Sequence, residues 1–127
     1  MNEEITCRIE KDGKQVYSST KRGIAPLLFL IDNGIPVQGG IAYDKIVGKA
    51  AALLYALMSI KEVHAGVLSA KAVEVFTAHK IVFTYETLAE QIINRKGDGV
   101  CPMEKTVENI IDPQAAFTAL KAKLQAI

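Results

Sequence analysis

The sequence predicts an α/β sandwich built on a mixed sheet, and three observations carry that prediction. Strand-like runs alternate with helix-length apolar segments, the order that packs helices against a sheet. The later strands are separated by whole helices, so at least part of the sheet is parallel. The first two are joined by Asp12-Gly13, a hairpin turn that makes them antiparallel. With 127 residues, half of them apolar, the chain holds one core, and residues 1–127 are read as a single domain.

Ile5-Thr6-Cys7-Arg8-Ile9 opens the chain with period-two alternation, Ile5, Cys7 and Ile9 sharing a face. After the hairpin, residues 15–19 return as the second strand. Residues 23–31 are apolar and stop at Asp32-Asn33-Gly34, which reads as a short helix with Pro26 in its first turn. A loop over 34–40 leads to Ile41-Ala42-Tyr43. From Asp44, apolar residues recur at three and four (Ile46, Val47, Ala50, Ala51, Leu53, Leu54, Leu57, Met58). This predicts the central buried helix with Asp44 as its N-cap. Residues 63–68 read as a buried strand, Ser69 as the cap of a helix to about His79, and residues 81–85 as the next strand. Helices over 87–94, 102–110 and from Pro113 onward complete the expected order β-β-α-α-β-α-β-α-α-α. Repeats, linkers and low-complexity tracts are absent.

Composition excludes some function classes. A formal net charge of +1 gives no global field for nucleic acid or an anionic membrane. The most apolar stretch, residues 50–58, is far shorter than the roughly 20 residues of a membrane span. Met1-Asn2-Glu3-Glu4 is acidic and no apolar signal region follows it, while Cys7 and Cys101 are too few for a disulfide framework. A cytoplasmic protein with reduced thiols is expected, with no membrane and no nucleic acid among its partners.

Four places offer chemistry. Gly48-Lys49-Ala50 lacks the first Gly and the Ser or Thr of a phosphate loop, which rules out a Walker-type nucleotidase. What remains is a glycine that permits close approach, and a lysine beside apolar positions that either snorkels to solvent or meets an anion. Ser69 follows a buried strand, where parallel sheets bind ligands; it reads as a plain N-cap or as a ligand contact or nucleophile. Asn94-Arg95-Lys96-Gly97-Asp98-Gly99 is a loop suited to function or to an anion, and Cys101 stands before Pro102 at a helix start. The Cys101 thiol is either activated by the helix dipole or an inert core thiol, and Glu104 three residues on fits a capping box. His64 and His79 have no partner at metal-ligand spacing, so no metal or cofactor is expected.

The Asp44-Lys45-Ile46-Val47-Gly48-Lys49-Ala50-Ala51-Ala52 run, the Val67-Leu68-Ser69 junction, Asn94-Arg95 and Cys101-Pro102-Met103-Glu104 together resemble an uncharacterised prokaryotic family with a cytidine-deaminase-like fold. The resemblance covers most of the chain and implies a three-layer α/β/α sandwich. It also implies a departure from the zinc deaminases, whose ligands and catalytic Glu come from a His-x-Glu or Cys-x-Glu and a Pro-Cys-x-x-Cys motif. The corresponding positions here are Gly48, Ser69 and Ala72 for the metal and Ala50 for the Glu, so zinc-dependent deamination is not expected. The resemblance would gather Asp44, Lys49 and Ser69 in the former pocket.

Two functions are therefore carried forward. The first is a small anionic or nucleoside-like ligand in that pocket, with Lys49, Ser69 and Cys101 as candidate reactive groups and Asp44, Gly48, Asn94, Arg95 and Glu104 as candidate ligand contacts. Whether any reaction follows is left open. The second is a non-catalytic homo-oligomeric module, its dimer formed by the Ala-rich central helix and the terminal segment holding Ala115, Ala116, Ala119 and Ala122.

Overall fold

The computed structural model describes residues 4–21, 23–93, 97 and 99–126. Strands β1 (Cys7–Lys11) and β2 (Lys14–Ser19) form the expected hairpin, with Asp12 and Gly13 at φ 54° and 78°. Two consecutive left-handed residues match the right-handed twist of the flanking strands. Cys7 and Ile9 point into the core, while Ile5 stays 48% exposed. Helix α1 (Ala25–Asp32) carries Pro26 at its start and buries Leu27, Leu28 and Leu30.

The central helix starts later than its periodicity suggested. Residues 41–47 are a full strand, β3 (Ile41–Val47), and α2 (Lys49–Leu57) begins beyond it with Gly48 as N-cap. Asp44 is therefore a strand residue and not a helix cap. A continuous apolar run suits a buried strand as well as a buried helix. Here pairing on both sides decides, with β1 antiparallel and with β4 (Glu62–Ser69) parallel.

Ser69 caps α3 (Ala70–Ala78) as expected, its Oγ accepting the Ala72 N–H at 3.1 Å. Strand β5 (Val82–Ala89) runs on through residues expected to be helical, because Thr87, Leu88 and Ala89 continue the parallel ladder with Val67, Leu68 and Ser69. Helix α4 (Pro102–Thr106) is shorter than expected, and α5 (Pro113–Ala126) closes the chain. The observed order is β-β-α-β-α-β-α-β-α-α. Among the described residues, no helix is long and apolar enough to cross a membrane.

The sheet is mixed, in the order β2-β1-β3-β4-β5. Tyr17, Ile9, Ala42, Val63 and Phe83 form a row straight across it. Against this face pack Phe29 of α1, stacked on Tyr17, and Phe76 of α3, tilted on Phe83. Tyr55 of α2 is held there as well, between Cys7 and Asp44. α5 lies on α2, which buries Ala50 to Tyr55 without interruption. The layers thus stand as sheet, then α1 with α2 and α3, then α5.

The neighbouring row, Ser18, Arg8, Tyr43, His64 and Thr84, occupies the opposite face. There the Arg8 guanidinium sits 4.3 Å over the Tyr43 ring, which stacks on His64. His64 is held between Glu62 Oε2 and Thr84 Oγ1, each at 2.5 Å. Among the described residues, α2 contacts β3 and α3 contacts β4 and β5 behind the first face.

Candidate functional site

A cleft of about 370 Å³ opens at the carboxyl end of β4, where α2 and α3 begin. Its lining includes three lysines, Lys49, Lys71 and Lys105, and three carboxylates, Glu90, Glu104 and Glu108. Ser69, Gln91 and Val100 complete it. Local sequence explains the place: Gly48 follows β3 and Ser69 ends β4, so both helices start at the same edge, where ligands of parallel sheets collect.

Glu104 is the best-determined element of the site. Its Oε1 accepts the Lys49 N–H at 2.7 Å and its Oε2 the Ala50 N–H at 2.8 Å. A carboxylate from α4 thereby satisfies two of the free amide donors at the start of α2 and complements its dipole. The anticipated capping box on its own helix does not form; Cys101 instead caps α4 through its carbonyl, which accepts the N–H groups of Glu104 and Lys105. Sequence reasoning could not see the α2 contact, because Glu104 lies 55 residues from Lys49.

Lys49 extends along the cleft, its Nζ donating to the Glu108 carbonyl at 3.1 Å. Ser69 is 1% exposed, and its capping bond to Ala72 leaves the hydroxyl proton for a further acceptor. Lys71, Lys105 and Glu108 are cleft residues that the sequence reading did not select. Lys71 lies two residues beyond the Ser69 cap, a position that could have flagged it.

Of the residues selected from sequence, Lys49, Ser69 and Glu104 share the cleft. Gly48 touches it from beneath, since a Cβ there would overlap the Glu104 carboxylate. Asp44 does not join them. It faces the underside of α2, where its Oδ2 accepts the Tyr55 hydroxyl proton at 2.7 Å, and Tyr55 lies 3.4 Å from Cys7 Sγ. Burial raises the Asp44 carboxyl to about 6 against the stabilising bonds from Tyr55 and the backbone of Ile46 and Lys45. Burial, reinforced by the Asp44 charge, pushes the Cys7 thiol up to about 12. Cys101 is half-buried at the start of α4 and is not among the cleft-lining residues. Asn94 and Arg95 lie outside the described residues.

Gly48 and Ser69 cap the two helices that start beside the cleft, and Ala72 donates its N–H to Ser69. Among the described residues, no three His, Cys, Asp or Glu side chains group together as metal ligands would.

The model of a domain of unknown function, DUF1893, matches residues 1–124 of the chain. The structure resembles that of a DUF1893 family protein from Thermotoga maritima, with a TM-score of 0.86 and 26% identity, over 94% of this chain and 80% of that one. A more distant likeness, with a TM-score of 0.50 and 18% identity, joins it to a diaminohydroxyphosphoribosylaminopyrimidine deaminase/5-amino-6-(5-phosphoribosylamino)uracil reductase from the same organism. That match covers 65% of this chain and 29% of the other, and it shows a shared deaminase-type fold. No curated protein matches the sequence.

Proposed function

This chain belongs to the DUF1893 family, and we propose that its cleft binds a small anionic or nucleoside-like ligand. One observation carries the reading. Lys49 is the first residue of α2 and Lys71 the second of α3, and neither helix has an acidic residue in its first turn. A cation at a helix N-terminus opposes the helix dipole, costing about 0.3–1 kcal/mol where exposed. At α2 the Glu104 carboxylate already offsets that cost, so Lys71 is the cation that an anion in the cleft would account for, with Lys49 beside it.

The charge count supports the same reading. Three ammonium groups meet three carboxylates; Glu104 is tied to α2 and Lys49 to the Glu108 carbonyl, so Lys71 and Lys105 are the cations that the reading assigns to a ligand. Ser69 would orient the ligand through its free proton. Binding is the whole of the proposal; Cys101 stands apart from the lining and is given no covalent role.

Thermal stability measured with inorganic phosphate, a nucleoside monophosphate and its parent nucleoside tests the reading. Phosphate-bearing probes should raise the midpoint in the native chain and not in Lys71→Met or Lys105→Met. Equal shifts in all three proteins, or none in the native chain, would remove the cleft as an anion site.

The homo-oligomeric alternative, as first framed on the alanines, has a different surface to explain. Ala50, Ala51 and Ala52 are enclosed within the protomer, and Ala116 is buried where α5 meets α2. These four pack inside one chain, while Ala115 and Ala122 of the same terminal segment stay exposed on α5.

A further inference from the structure

We propose that β5 pairs with β5 of a second copy of this chain, antiparallel and centred on Tyr85, so that two sheets become one.

β5 is the edge of the sheet, and its outer side has no partner among the described residues. Its side chains are unusually open for so apolar a strand: Val82 is 59% exposed, Tyr85 45% and Leu88 50%. Edge strands of monomers are normally protected by proline, lysine, a bulge or brevity. This one spans eight residues in unbroken register, with Glu86 as its single charge.

The backbone is set for pairing. The Val82 N–H donates inward to Lys61, so in a parallel ladder Val82, Thr84, Glu86 and Leu88 turn their amides and carbonyls toward β4. Phe83, Tyr85 and Thr87 turn theirs away from the protein. A two-fold on Tyr85 sets Tyr85 against its own copy and Phe83 against Thr87, so all three outward residues become hydrogen-bonded pairs.

The side chains select a second copy as the occupant, because the segment is complementary to itself over its whole length in that register. Val82 then faces Leu88 and Thr84 faces Glu86, while Lys80 and Glu90, which flank the strand beyond its two ends, are brought to the same ends of the ladder. Both Lys80 and Glu90 are exposed. Moving the two-fold to Glu86 sets two carboxylates directly opposite, which destabilises a ladder. Moving it to Thr84 sets Lys80 against Leu88 and Glu86 against Val82. Glu90 also lines the cleft, so the partner's Lys80 would stand at its mouth.

Sedimentation velocity of the full chain between about 1 and 100 µM tests this, since dissociation constants in that range are read directly. The native chain should dimerise. Lys80→Glu or Glu90→Lys alone should weaken the dimer roughly tenfold or more, as each places like charges together twice. The double exchange should return it close to the native value. Tyr85→Pro should give a monomer of unchanged secondary structure, because the lost N–H faces outward. A native monomer at 100 µM overturns the proposal, as does a dimer indifferent to the single reversals, or a double variant as weak as the singles. If Tyr85→Pro fails to fold, the charge exchange decides alone.

Discussion

The space that a Cβ on Gly48 would fill is held by the carboxylate of Glu104. The same added atom would lie 2.8 Å from Ile92 Cγ1, so it meets neighbours on two sides. Gly48 has φ −100°, an ordinary value for any residue, so the requirement is one of space and not of backbone conformation. Gly48→Ala should therefore destabilise the fold by about 1–3 kcal/mol, the usual range for overpacking a tight site. Denaturant midpoints in Gly48→Ala, Glu104→Ala and the double variant check the origin. A double variant less unstable than the two losses added together is expected, because Glu104→Ala clears the clash.

Glu104 itself should act as a cap supplied from a distance. Glu104→Ala strips both bonded oxygens from the Lys49 and Ala50 amides and should cost about 0.5–2 kcal/mol, as losing a cap does. Glu104→Gln keeps one acceptor oxygen and loses the charge, so it should fall between. Chemical denaturation at neutral pH ranks the three proteins.

Asp44 makes stability depend on pH in the less common direction for a carboxylate. Its group is raised from 3.8 to about 6 by burial, so between those values the native state keeps a proton that the unfolded chain has lost. Stability from this group thus falls as pH rises from about 4 to 6, and the full cost of the buried charge is present above 6. Asp44→Asn keeps an acceptor for the Tyr55 hydroxyl and removes the charge. It should be about 1–3 kcal/mol more stable than the native chain at pH 7, the gain vanishing near pH 4. Urea unfolding at both values measures it, and a gain independent of pH would assign the effect to another cause.

How far the sequence could be read follows from the range of the forces. Local signals held: Asp12-Gly13 turned the hairpin, Pro26 opened α1 and Ser69 capped α3. Asp44 to Val47 misled because an apolar run satisfies strand and helix alike, and the choice was made by β1 and β4 on either side. Residues 87–89 misled for the same reason, being held in the sheet by Val67 to Ser69. Of the site, Lys49 and Ser69 were visible because helix starts after strands are local patterns. The Glu104 contact with α2 and the separation of Asp44 from the cleft depend on tertiary packing, which no spacing rule reports.

The two cysteines should differ sharply in reactivity. Cys7 is 4% exposed and its thiol is pushed to about 12, which leaves almost no thiolate near neutral pH. Cys101 is only half-buried, at the start of α4. Titration of the native protein with an aromatic disulfide should release one equivalent quickly and the second only on unfolding. Cys101→Ser should abolish the fast phase; a fast phase that survives would mean that Cys7 is reached through an opening of α2.

Lys71 offers a test in which stability and binding move in opposite directions. Its ammonium opposes the dipole at the start of α3, a helix with no acidic residue in its first turn. Replacing it with Gln keeps the length and removes the charge, so the ligand-free protein should gain about 0.3–1 kcal/mol. The same change should abolish stabilisation by inorganic phosphate. A residue kept for structure alone would give the reverse pattern, a loss of stability with the phosphate response intact. Paired melting curves with and without phosphate separate the two, because a cation that costs the empty protein stability is explained by the anion it meets.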